Sequence, residues 1–181
     1  DIMTARNAAS RDRRTMAEKA DIHELYEEAV QDVEMECEFL QETFGKLRGR
    51  TAHLFREDFC GTASASCQWV RQGKDFQAIG VDIDPNPLDW GRKKRVAKLP
   101  AEDQARVRLL QADVMTAEAP PVDLVSALNF SYYIFRTREQ MRAYFRRCYE
   151  ALKDDGILFL DMFGGPEAQE ETKEKTKHKK F

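Results

Sequence analysis

Phe55-Arg56-Glu57-Asp58-Phe59-Cys60-Gly61-Thr62-Ala63 is the stretch that decides the fold. It reads as the end of a strand, a tight turn and the opening of a helix. Glu57 stands just before the turn, and the small residues Cys60 to Ala63 let the backbone come close to a ligand. Farther on, Gly80-Val81-Asp82 closes a second strand on another acid. An acid at each of two successive strand ends is how an α/β fold meets a nucleoside-bearing ligand.

Working outward, strands and helices alternate. Residues 52–57, 77–82, 107–112, 123–129 and 157–163 read as strands, and residues 62–73, 87–98 and 137–152 as helices. The last strand is nearly continuous in apolar residues, the mark of a strand buried on both faces of a parallel sheet. Asp154-Asp155-Gly156 before it reads as a turn. The repeated β-α-β order predicts an α/β fold with a doubly wound, Rossmann-like open sheet of about five parallel strands. Upstream, Asp21 is a candidate N-cap for a long helix over residues 21–48, with Ile22, Leu25, Tyr26, Ala29, Val33, Leu40, Phe44 and Leu47 at helical spacing. Residues 1–20 read as a polar arm, 21–165 as one domain, and 166–181 as an exposed Glu- and Lys-rich helix or tail.

The 181 residues carry a net charge of −3, which gives no push toward nucleic acid or an anionic membrane. A span of about 18 apolar residues, the minimum for a membrane helix, is not found. The chain starts Asp1-Ile2-Met3-Thr4, without the apolar segment of a signal peptide. Cys37, Cys60, Cys67 and Cys148 form no C-x-x-C pair, which argues against zinc and disulfides and for a reduced, cytoplasmic protein. No metal site is expected.

Four strand ends carry polar residues: Glu57, Asp82, Asp113 and Asn129. Asp and Asn favour turns in any case, but four in consecutive units point to one shared ligand. A dinucleotide would need G-x-G-x-x-G, so that its pyrophosphate could nest on backbone N–H groups. Here Phe59 stands where the first glycine would be, and an acid precedes the turn. A P-loop is excluded, because no G-K-[ST] follows. The turn suits a cationic ligand without phosphate.

S-adenosylmethionine (SAM), with its adenosine, amino acid and sulfonium, fits that description. The arrangement resembles the class I SAM-dependent methyltransferases, whose first motif runs from an acid through three alternating glycines. Glu57 takes the acid position; Phe59, Gly61 and Ala63 take the glycine positions; and Cys60-Gly61-Thr62 matches the common Cys-Gly-Thr. The resemblance implies that Asp82, with Ile83 after it, meets the ribose hydroxyls, that Asp113 and Val114 meet the adenine, and that Asn129 lies near the methionine part. It spans about residues 50–163, and the string Arg56–Ala63 resembles that of a bacterial subgroup. Only Gly61 survives of the three glycines, so the turn must be shaped differently. Phe59 either adopts an unusual backbone angle or packs on the cofactor. Asp58 replaces Glu57 as the binding acid if the strand slips by one residue. The family's last two strands, an antiparallel hairpin, do not follow the fifth strand here, so either the chain is a fragment or those strands are supplied elsewhere; an exposed sheet edge invites pairing, which leaves the question of a homodimer open.

The implied activity is methyl transfer to a small-molecule acceptor. A SAM-binding module without catalysis is the alternative, as is methylation of a nucleobase or protein amide. Asn129-Phe130-Ser131-Tyr132-Tyr133 matches the Asn-Pro-Pro-Tyr signature of amino-group methyltransferases only loosely. Tyr132 and Tyr133 read as packing residues before catalytic ones, as do Trp69 and Trp90. Tyr26 reads as a core aromatic or a cover over the cofactor. His23 and His53 have no ligand-spaced partners. Arg56 is expected to brace the acidic turn or to meet the cofactor carboxylate. No catalytic residue is assigned.

Overall fold

The computed structural model describes residue 15, residues 20–30 and residues 32–165. The arm, apart from residues 15 and 20, and the tail 166–181 lie outside the described residues. Contacts divide the chain into two units, Asp1–Asp32 and Val33–Phe181. In the first, helix α1 (Ile22–Val30) is capped by Asp21, whose Oδ1 accepts the His23 N–H at 3.0 Å. The side chain of Tyr26 lies outside what the structure describes.

The single helix expected over residues 21–48 is two helices, α1 and α2 (Val33–Arg48), with Asp32 outside both. Asp32 stands just before α2, where a short acid is favoured over a helix interior. Glu34 and Glu36 in the first turn and Lys46 and Arg48 in the last complement the helix dipole. Cys37, Leu40 and Phe44 form the buried stripe.

The second unit is built on strands β1 (Leu54–Asp58), β2 (Gln77–Asp82), β3 (Val107–Gln111), β4 (Val122–Ala127) and β5 (Leu152–Leu160). They form one parallel sheet in the order β3-β2-β1-β4-β5. The sheet is doubly wound as expected, and its order reverses between β1 and β4. Helices α3 (Ser64–Val70), α4 (Pro85–Lys94), α5 (Ala101–Gln104) and α6 (Arg138–Ala151) make the crossovers. Successive residues of the central strands serve opposite layers. Phe55 and Leu124 join Phe44 and Trp69 on one face, while Val81 and Val125 join Tyr144 and Cys148 on the other.

Boundaries shift for identifiable reasons. Helix α3 starts only at Ser64 because Ala63 is left-handed, at φ 58°. Helix α4 starts at Pro85, since Asp84 caps it by accepting the Asn86 N–H at 2.9 Å and proline is pre-set for the first turn. Strand β4 ends at Ala127, two residues early, because Asn129 and Phe130 are left-handed, at 55° and 54°. Asp154-Asp155-Gly156, expected as a turn, lies inside β5. Pairing jumps there from Val122↔Leu152 to Leu124↔Ile157, so the strand carries a bulge.

Beside that bulge, buried Asp123 ties the amino ends of the strands together. Its carboxylate accepts the N–H groups of His53 and Leu54 at 3.0 and 2.9 Å, and Arg50 Nη2 and Lys153 Nζ at 2.9 Å. Burial alone would raise its pKa, but the Leu54 N–H, Lys153, the His53 N–H and Arg50 outweigh burial and hold it at about 2. All four cysteines are buried, and none forms a disulfide. Among the described residues no helix is long and apolar enough to cross a membrane, and no group of side chains could hold a metal ion.

Candidate functional site

The sheet order sets the ends of β3, β2, β1 and β4 side by side, so Asp113, Asp82, Glu57 and Asn129 follow one another along the carboxyl edge. Between β1 and α3 the turn takes left-handed backbone at alternate residues: Phe59 at φ 58°, Gly61 at 51° and Ala63 at 58°. These are the three positions where the motif has glycine, so the turn keeps a left-handed backbone at each of them and is not reshaped as the loss of two glycines led one to expect. A non-glycine residue there costs about 1–2 kcal/mol, so the surroundings must hold Phe59 and Ala63 in place. The Phe59 ring packs against Phe135 and Tyr144, with centroids 6.2 and 5.9 Å away. Ala63 is fully buried.

The turn is pinned to β2. The Cys60 N–H donates to the Val81 carbonyl at 3.0 Å, and the Gly61 N–H to Asp82 Oδ2 at 2.7 Å. The Asp84 N–H donates to Asp82 Oδ1 at 2.9 Å, so both carboxylate oxygens are oriented by backbone. Two glycines make the approach possible. A Cβ at Gly91 would stand 2.2 Å from the Thr62 carbonyl oxygen, so α4 lies directly on the turn. A Cβ at Gly61 would meet nothing within 4 Å, so the crest of the turn opens onto free space.

Glu57 and Asp58 point to opposite layers, as alternation in a strand requires. Glu57 is buried and faces α3, accepting the Ser66 N–H at 2.9 Å and the Ser66 hydroxyl at 2.6 Å. Burial raises its pKa to about 7 despite those bonds, and the charges of Glu36 and Asp82 add to the rise. Asp58 faces α6. Its Oδ1 accepts Arg56 Nε at 2.7 Å and its Oδ2 the Tyr144 hydroxyl at 3.0 Å. Arg56 thus braces the turn. The strand has not slipped, for Glu57 pairs with Gly80 and Ser126.

The flanking residues are placed by their own loops. Asp113 Oδ1 accepts the Met115 N–H at 2.9 Å, and Val114 is buried next to it. Ile83 leaves the end of β2 with 66% of its surface exposed, an apolar face beside Asp82. On the far side of β1, Phe130 donates its N–H to Asp161 Oδ1 at 2.9 Å, and the Tyr132 hydroxyl donates to the Asp161 carbonyl at 2.8 Å. Tyr132 is therefore a packing residue, as is fully buried Trp69, whose indole donates to the His53 carbonyl at 3.1 Å. Trp90 carries the Arg95 guanidinium over its ring.

Asp161 was not read as a site residue, although an acid closing the apolar run 157–160 follows the same rule as Asp82. It lines a cavity of about 220 Å3 with Glu36, Phe39, Leu128 and Phe159. The larger hollow of about 380 Å3, lined by Arg71, Lys74, Glu102 and Arg106, lies away from the strand carboxyl ends.

The model of the family described as methyltransferase domain matches residues 60–158, more than half of the chain. A methyltransferase of Geobacillus sp. (strain WCH70) is 28% identical over 104 residues, 57% of this chain and 39% of that protein. The S-adenosylmethionine-dependent methyltransferase UmaA of Mycobacterium tuberculosis (strain ATCC 25618 / H37Rv) is 31% identical over 86 residues, 48% of this chain and 28% of UmaA. This chain therefore spans less than half the length of the curated relatives it matches. Among solved structures, the SAM-bound amino pentose methyltransferase CalS10 of Micromonospora echinaspora superposes with a TM-score of 0.65 at 22% identity, covering 82% of this chain and 58% of CalS10. The sugar N-methyltransferase KedS8 of Streptoalloteichus sp. ATCC 53650 gives 0.64 at 19%, covering 92% and 62%. Fold, turn and matched residues agree: the chain belongs to the methyltransferase-domain family.

Proposed function

We propose that the protein binds S-adenosylmethionine at the carboxyl edge of the sheet and transfers its methyl group to a small-molecule acceptor. One observation carries the reading. Asp82 stands at the end of β2 with its carboxylate oriented by the N–H groups of Gly61 and Asp84, beside a turn whose crest is open. That arrangement suits a vicinal diol. The turn has acids around it and no lysine or arginine of its own, which fits a cationic, phosphate-free ligand. The bound sulfonium would supply an activated methyl carbon.

In this reading Asp82 holds the ribose, Ile83 and Val114 flank the adenine with Asp113, and Phe59, Cys60, Gly61 and Thr62 shape the backbone bed. Glu57 orders the start of α3 by accepting the Ser66 N–H and hydroxyl beneath the amino-acid end. Asn129 lies between that end and the acceptor. We place the acceptor in the cavity between Leu128 and Asp161, where aligned reactants gain several kcal/mol from orientation alone. Glu36 and Asp161 make that cavity suited to an amino-bearing compound; the amino pentose and sugar N-methyltransferase activities of CalS10 and KedS8 support the same class. We further assign the chain to the bacterial subgroup that carries the Arg56–Ala63 string, and to the cytoplasm.

Isothermal titration with SAM and with S-adenosylhomocysteine tests the cofactor. Absence of heat with both, on the full-length protein, rejects the reading. Release of S-adenosylhomocysteine across a panel of small amines and alcohols then separates an enzyme from a binding module.

A further inference from the structure

A buried polar network lies behind the turn and has no part in the chemistry proposed above. Arg56 and Asp58 are each 2% exposed and Tyr144 is fully buried. Asp58 bonds Arg56 Nε through one oxygen and the Tyr144 hydroxyl through the other. Arg56 Nη2 continues the chain to the Val114 carbonyl at 3.1 Å. Because β2 separates β1 from β3, this guanidinium reaches across a whole strand to the loop beyond β3.

Stability alone does not account for such a network. A buried ion pair is often matched or exceeded by apolar residues of the same volume, because desolvating two charges is costly. Apolar packing, however, cannot fix direction. The network joins the residue before the left-handed Phe59, the carbonyl after Asp113, and the inner face of α6. Tyr144 acts twice, by its hydroxyl on Asp58 and by its ring on Phe59.

We propose that Tyr144, Asp58 and Arg56 are positioning residues for cofactor binding, holding the turn at 59–63 and the Asp113–Val114 loop at a fixed spacing. This rests on the function proposed above, since one nucleoside would bridge those two segments. The network touches neither Asp82 nor the crest of the turn, so it acts through backbone geometry.

Tyr144→Phe keeps the ring on Phe59 and removes the hydroxyl bonded to Asp58 and Cys148; Asp58→Asn removes the charge that balances Arg56. The Kd for S-adenosylhomocysteine is measured by titration calorimetry on the full-length protein, well below each variant's melting temperature, with the Tm recorded separately. Tyr144→Phe is expected to weaken binding by about fivefold or more, the scale of one well-directed hydrogen bond, and Asp58→Asn by more. A Kd within twofold of wild type, with only the Tm lowered, overturns the positioning role. So does failure of both variants to unfold cooperatively, which would make the network a folding element only. If the wild-type protein itself gives no heat, the cofactor reading has failed, an outcome distinct from the other two.

Discussion

The Gly61 N–H lies 2.7 Å from Asp82 Oδ2, so the acid that ends β2 also fixes the crest of the turn that follows β1. Two roles meet in one carboxylate. Asp82→Ala would remove the proposed ribose contact and release the turn. Hydrogen bonds to a charged group are worth about 1.5–3 kcal/mol. The expected loss for S-adenosylhomocysteine is therefore about ten- to a hundredfold in Kd, since about 1.4 kcal/mol is a factor of ten. Unchanged affinity by calorimetry would show that Asp82 is not the ribose acid.

Gly91 gives a second test that touches no ligand. Its missing Cβ is what lets α4 rest on the Thr62 carbonyl, for an added atom would stand 2.2 Å away. Gly91→Ala must push α4 and the turn apart. Overpacking of this kind costs about 1–3 kcal/mol. Urea denaturation should show a lower midpoint, and S-adenosylhomocysteine should bind more weakly as the turn shifts. Gly61→Ala has room for its methyl but a left-handed backbone to hold, so strain alone opposes it.

Glu57 predicts a pH dependence. Folding raises its pKa from 4.5 to about 7, because burial disfavours the carboxylate. Between those values the folded chain binds more protons than the unfolded one, so this contribution to stability falls as pH rises from about 4.5 to about 7. It is fully present below that window. The total is about 3 kcal/mol, at about 1.4 kcal/mol per unit. Glu57→Gln can still accept a bond from Ser66 and does not titrate. The wild-type minus variant difference in unfolding free energy should therefore slope downward through that window; a flat difference would place the ionisation elsewhere.

Asp123 titrates in the opposite sense. Its folded pKa of about 2 lies below the ordinary 3.8, so its contribution is present above about pH 4 and lost as pH falls toward 2. Asp123→Ala would take the acceptor from the His53 and Leu54 N–H groups and release Lys153, while Arg50 keeps its two bonds to Asp155. Its cationic partners are 37% and 43% exposed, so the cost comes from the backbone donors left without an acceptor, about 1–3 kcal/mol, to be measured as a fall in unfolding free energy. The cluster lies at the amino ends of the strands, so the Kd for S-adenosylhomocysteine should stay within about twofold at temperatures where the variant is folded.

The sheet was legible because each strand is a short apolar run closed by a polar residue; the turn was not, since the loss of two glycines was read as a change of shape, whereas Phe59 and Ala63 keep the left-handed backbone under the packing around them. Other features depended on partners far along the chain. Nothing near Asp58 in sequence announces Tyr144, and in isolation Arg56-Glu57-Asp58 looks like a solvated turn. Only the fold shows that the alternating pleat sends the middle acid to one layer and its neighbours to the other. Asp123, polar within an apolar strand, gains its meaning from residues that arrive from two other segments, residues 50–54 and Lys153. The break between α1 and α2 was hidden by apolar spacing that continues across it, although Asp32 marked the restart. Asp161 was missed because the strand was carried past Leu160 into Met162 and Phe163, which are exposed.

The opposed orientations of Glu57 and Asp58 have a consequence for how the molecule reports on itself. One acid is latched by α3 and the other by α6, so the turn that follows them is anchored to both helical layers. A ligand seated on that crest would be sensitive to local opening on either side. Slowed amide exchange in α3 and α6 together, on adding S-adenosylhomocysteine, would make the binding edge a gauge of whether the whole sandwich is closed.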